Sequence, residues 1–135
     1  MIIGIGSPIA DDDLGWQTVD ILLENKKIRN LVDNGLQLIK LDRPGVMLAK
    51  YIEDYEHVII VDAAKPANSN AQPVWLDINK LNSPGNNFSS HEIGLSHSIQ
   101  YIKAIGRLPK DITLLAITKI DEEQLINKVL RCLNF

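Results

Sequence analysis

At 135 residues, with 45% hydrophobic and 23% charged side chains, the chain is long enough for one hydrophobic core, too short for two, and too apolar to be disordered overall. Its net charge of −3 leaves no basic stripe to neutralise phosphates, which argues against a nucleic-acid surface. No apolar run approaches a membrane span, MIIGIG lacks the basic flank and cleavage site of a signal peptide, and the single cysteine, Cys132, rules out an internal disulfide or a thiolate zinc cluster.

In chain order, strand-like and helix-like segments alternate. MIIGIG (1–6) is short, β-branched and ended by glycine, as a buried strand should be. LGWQTVDILLENKKI (14–28) places Leu14, Thr18, Ile21, Leu22 and Leu23 at helical spacing, with basic residues expected in its last turn. After the turn DNG, LQLIKL (36–41) reads as a second strand, and PGVMLAKYIED (44–54) as a short helix opened by proline. HVIIVDAA (57–64) is the strongest strand, nearly continuous in apolar residues like a central parallel strand. QPVWLDI (72–78) reads as a fourth strand whose proline favours an edge. LNSPGNNFSS (81–90) is a loop, EIGLSHSIQYIKAIG (92–106) an amphipathic helix, DITLLAI (111–117) a fifth strand and DEEQLINKVLRCL (121–133) a closing helix. Cys132 lies in the apolar pattern of that helix and is expected to be a buried structural thiol.

This alternation predicts an α/β fold, a mostly parallel five-stranded sheet covered by helices on both faces. Ligands of such sheets bind beyond the carboxyl ends of the strands, where strand order reverses. With strand one between strands two and three, the reversal falls between one and three. The run Asp11, Asp12, Asp13 follows strand one, and Asp62 ends strand three, so one crevice should receive both.

An aspartate ending an apolar strand is costly unless hydrogen-bonded, paired or bound to a cation. Helix capping and the helix dipole account for one aspartate of the run, and three leave at least one without that role. Of the histidines, His57 reads as a strand-boundary residue and His97 lies inside a helical pattern. His91 stands in a loop at the mouth of a helix and is the better ligand candidate. Two carboxylates and an imidazole make a mixed oxygen–nitrogen site for a divalent transition ion. Other chemistries lack their motifs: GIGS has Asp11 where a dinucleotide loop needs its third glycine, and no G-x-S-x-G elbow or Walker loop occurs.

These residues resemble the hydrogenase maturation endopeptidases, which trim the C-terminus of nickel–iron hydrogenase large subunits. The likeness rests on Gly4, Gly6, Asp11, Asp12 and Gly15 in the first motif, on Asp62-Ala63 ending a strand, and on SSHEIGL with Ser89, His91, Gly94 and Leu95. The resemblance implies a three-layer, phosphorylase/hydrolase-like domain with a twisted five-stranded sheet, here the single domain 1–135. It implies that Asp12, Asp62 and His91 bind a metal and form the catalytic centre. It further implies that the metal is nickel supplied by the hydrogenase precursor, the protein partner. A cytoplasmic monomer without membrane or nucleic-acid partners is expected. The alternative is a non-catalytic paralogue that binds a metal-bearing peptide or protein through the same crevice.

Four departures from the family pattern stand out. The loop before the aspartates is one residue shorter, so an ungapped alignment selects Asp13, whereas keeping Gly15 in place selects Asp12. Ser7 replaces an asparagine, LDRPG (41–45) replaces a D-G-G-T-like segment associated with substrate choice, and TKIDEE (118–123) replaces a longer loop.

Overall fold

The most apolar runs of the chain become the innermost strands. Strand β1 (Ile2–Gly6) is buried throughout, and β3 (His57–Ala63) from Val58 to Asp62, because strands covered on both faces leave no solvated side for polar residues. The computed structural model describes residues 1–8, 13–63, 74–76 and 90–135, with the backbone alone for 74–76 and 90–93. Strands β2 (Leu38–Asp42), β4 (Val74–Leu76) and β5 (Asp111–Ile117) complete a sheet of order β2-β1-β3-β5-β4. The first four in that order are parallel, and β4 runs antiparallel to β5 at the edge. The expected topology, with strand one between strands two and three and the proline-preceded fourth strand at an edge, is the observed one.

Side chains alternate across the sheet, and each face has its own core. On one face Ile3, Ile5, Val58, Ile60 and Leu114 meet Leu48 and Ile52 of α3 (Leu48–Ile52) and Leu95, Ile99 and Ile102 of α4 (Ser90–Ala104). On the other, Ile2, Ile59, Val61, Leu115 and Ile117 meet Leu22 of α1 (Leu14–Glu24), Ile28 of α2 (Lys26–Asp33) and Leu125 and Val129 of α5 (Glu122–Cys132). The result is the three-layer arrangement expected from the alternation of elements.

Several local expectations are corrected. The helix expected over 14–28 breaks at Asn25, whose backbone is extended and whose side chain accepts the N–H groups of Lys27 and Ile28 at 3.0 and 3.2 Å. An asparagine that caps a new helix is more stable there than in a helix interior, so Lys26 and Lys27 open α2 rather than closing α1. The 44–54 helix is a 3-10 turn (Gly45–Met47) followed by the short α3. Helix α4 begins at Ser90, which takes His91 out of the expected loop and into the first helical turn. Cys132 is exposed, because α5 turns Leu125, Val129 and Leu130 to the core and leaves Cys132 off that stripe. The 81–89 part of the expected loop lies outside the described residues.

Candidate active site

The parallel strands deliver their C-terminal ends to one edge, where the order reverses between β1 and β3. Asp62 is the penultimate residue of β3. Register pairs Gly4 with Val61 and Asp62 with Ala116, so Asp62 stands level with Ile5 between the two neighbouring strands. It is 1% exposed, and its Oδ1 accepts the N–H of Ala63 at 2.8 Å, which orients the carboxylate. A carboxylate so deeply withdrawn from water needs compensation by hydrogen bonds or positive charge.

The opposite wall is set by a close approach of helix to strand. A Cβ added to Gly4 would strike the carbonyl oxygen of Gly15, and one added to Gly15 would strike the carbonyl oxygen of Ile5 and lie 2.7 Å from that of Val61. Two glycines eleven positions apart thus let α1 lie directly on β1 and β3. The contact fixes Asp13 at the N-terminal cap of α1, half-buried, with φ −97° and ψ 3° and no side-chain capping bond. Asp13 therefore holds the cap position without performing the capping expected of one aspartate. Its carbonyl instead accepts Gln17 N–H at 2.9 Å. Asp11 and Asp12 lie outside the described residues. Ser7, next after β1, is buried.

Helix α4 starts at the same edge, with His91 as its second residue; the imidazole is outside the described side chains. Of the three expected ligands, Asp62 is the one whose side chain is described, and no three His, Cys, Asp or Glu side chains converge among the described residues. The other histidines stand elsewhere. His57 opens β3 at the far end of the sheet, with Nδ1 3.3 Å from Asp111 Oδ2, a strand-boundary residue as expected. His97 is an exposed residue of α4.

A cleft of about 210 Å³ opens between the chain after β2 and the first turns of α4, and Ile5 in its lining stands level with Asp62 in the sheet. Its floor is Ile5. Arg43, Pro44 and Gly45 form one side and Gly94, Leu95 and Ser98 the other. Arg43 and Gly45 both adopt positive φ, 41° and 56°, so the substituted LDRPG segment turns sharply to make this wall. Trp16 steadies it from α1, its Nε1 donating to the carbonyl of Leu41 at 3.0 Å. Sequence reasoning gave no role to Trp16 or to this cleft. The indole's partner lies 25 residues away, and no periodicity signals such a bond.

This is the edge at which doubly wound α/β proteins bind their ligands. The model of the hydrogenase maturation proteases, HycI, matches residues 23–131, most of the chain, with Asp62 and His91 inside the match and the Gly4–Gly15 motif before it. The chain belongs to the hydrogenase maturation protease family, a family of endopeptidases. Solved structures are similar along nearly the whole chain. The hydrogenase maturating endopeptidase HybD from E. coli is 20% identical over 98% of this chain and 90% of its own, with a TM-score of 0.71. The [NiFe] hydrogenase maturation protease HybD from Thermococcus kodakarensis is 18% identical over 98% and 95%, with a TM-score of 0.64. The hydrogenase 2 maturation peptidase from Thaumarchaeota archaeon SCGC_AB-539-E09 is 23% identical over 98% and 96%, with a TM-score of 0.54. At these identities the likeness carries the fold. No curated protein matches the chain.

Proposed function

We propose that the chain is the endopeptidase that removes the C-terminal peptide of a nickel–iron hydrogenase large-subunit precursor, and that it recognises the nickel already inserted there through Asp12, Asp62 and His91. The observation that carries this reading is Asp62, a carboxylate 1% exposed at the strand-order reversal of a maturation-protease fold. Two carboxylates and an imidazole suit a borderline divalent ion such as nickel. In this reading the ion is part of the substrate. The hydrogen bond from Ala63 N–H holds the Asp62 carboxylate in place before the ion arrives, so binding loses little freedom at that side chain. A precursor without metal offers the acidic crevice nothing to hold, and maturation is thereby gated on metal insertion. A monomer in the cytoplasm suffices for this reaction, and no nucleic acid or membrane enters it.

The test is incubation with nickel-loaded and nickel-free precursor, with the products weighed by mass spectrometry. Trimming of the loaded form alone, lost in Asp62→Asn and His91→Ala, supports the reading. Equal trimming of both forms, or full activity in Asp62→Asn, refutes it. The LDRPG wall favours one second reading, a paralogue that binds the loaded precursor at this site without cutting it. Stable capture of the loaded precursor with no mass change would select it.

A further inference from the structure

We propose that the cleft between residues 43–45 and α4 is a subsite for one uncharged apolar side chain of the substrate, and that Gly94 sets its depth. This rests on the reading that a peptide crosses the crevice beside Asp62. The volume of about 210 Å³ is that of a leucine- to phenylalanine-sized guest, since an apolar cavity of about 150 Å³ already holds benzene. The lining is apolar in character as well as in count. Ile5, Pro44 and Leu95 present hydrocarbon, and the two polar side chains of the wall each make a bond within the chain. Ser98 Oγ donates to the carbonyl of Gly94 at 2.9 Å, and Arg43 Nε faces Asp42 Oδ1 at 3.3 Å. An apolar guest would gain by leaving water for the hydrocarbon of Ile5, Pro44 and Leu95.

The position of the cleft ties it to the chemistry. Ile5 stands level with Asp62 in the sheet, and Gly94 and Leu95 follow His91 by one helical turn. A side chain seated here belongs to a residue within one or two positions of the metal-recognising centre. Gly94 lines the opening, and among the described residues a Cβ built on it meets nothing within 4 Å. It is a helical position with room for a larger side chain, and the room is the subsite itself.

The experiment is an amide chemical-shift titration with two near-isosteric neutral probes, N-acetyl-leucinamide and N-acetylasparaginamide, on the wild type and Gly94→Leu. The expected result is perturbation of the Gly45, Gly94 and Leu95 amides by the leucine probe, with affinity at least about tenfold above that of the asparagine probe. In Gly94→Leu, whose new side chain fills the cleft and improves helix propensity, the leucine affinity should fall by about tenfold or more. Gly94→Ala, a smaller filling, should lie between. Equal responses to the two probes, no response, or unchanged leucine affinity in a natively folded Gly94→Leu would overturn the subsite. The two readings fail separately. Leucine binding at these amides with no cleavage of any loaded precursor removes the peptidase and leaves the subsite. Cleavage whose kcat/KM ignores Gly94→Leu removes the subsite and leaves the peptidase.

Discussion

Replacing Gly15 by alanine adds one methyl group where the structure has least room for it. The new Cβ would collide with the carbonyl oxygen of Ile5, lie 2.7 Å from that of Val61 and 3.0 Å from the Ile5 nitrogen. All three are backbone atoms of β1 and β3, held by the ladders of the central sheet, so no side chain can rotate out of the way. Overpacking costs about 1–3 kcal/mol where side chains yield, and this site belongs at the top of that range or above it. Alanine returns about 1 kcal/mol of helix propensity, which leaves a net loss of roughly 2–3 kcal/mol. For a chain of this length that is a fall in Tm of about 10 °C. Urea unfolding followed by circular dichroism measures it, with Gly94→Ala as the control, because a Cβ there meets nothing among the described residues and the substitution should be neutral or mildly stabilising. A Gly15→Ala variant within about 0.5 kcal/mol of wild type would refute the claim that α1 is anchored on the sheet at this contact. It would also remove the structural reason for aligning the aspartate run on Gly15.

The remaining predictions concern caps, the cleft wall and the site. Asn25→Ala, which strips the acceptor for two backbone N–H groups, should cost about 1 kcal/mol in urea unfolding, and no loss would mean that α2 does not depend on its cap. Asp13→Ala should change stability by less than about 0.5 kcal/mol because its side chain caps nothing, whereas Asp121→Ala should cost about 1 kcal/mol because its Oδ1 accepts Gln124 N–H at 3.1 Å. Trp16→Phe removes the indole's bond to the Leu41 carbonyl and should cost about 1 kcal/mol. Its amide spectrum should change at Asp42, Arg43 and Gly45, and an unchanged wall would show that the indole does not steady it. Asp62→Asn keeps the shape of the side chain and removes its charge, so nickel-dependent retention of the precursor should fall at least about tenfold while the fold persists. Calorimetric titration with the loaded precursor reads this directly. If Asp13→Ala instead abolishes that binding and Asp12→Ala does not, the ligand is Asp13.

The sequence by itself determined the layers and their order. Nearly unbroken apolar runs in IIGIG and HVIIVDA can only be strands covered on both faces, and the helical stripes between them supply the covers. The same reasoning placed Asp62 at a strand end and the strand-order reversal beside it, because parallel strands joined by helices leave few topologies. Tertiary structure decided what depends on atoms far apart in the chain. That Gly4 and Gly15 touch, that Trp16 reaches Leu41, and that LDRPG faces Gly94 across a cleft are close contacts between elements. Periodicity records which face of an element is buried and carries no information about what it is buried against. Local competition settled other details. Asn25 reads equally as a polar position within a long helix or as the cap of a second one, and only packing of Ile28 into the core beneath α2 selects the break. Cys132 shows the opposite error: an apolar-looking helix end has a solvent side, and which residue takes it depends on the angle at which α5 meets the sheet.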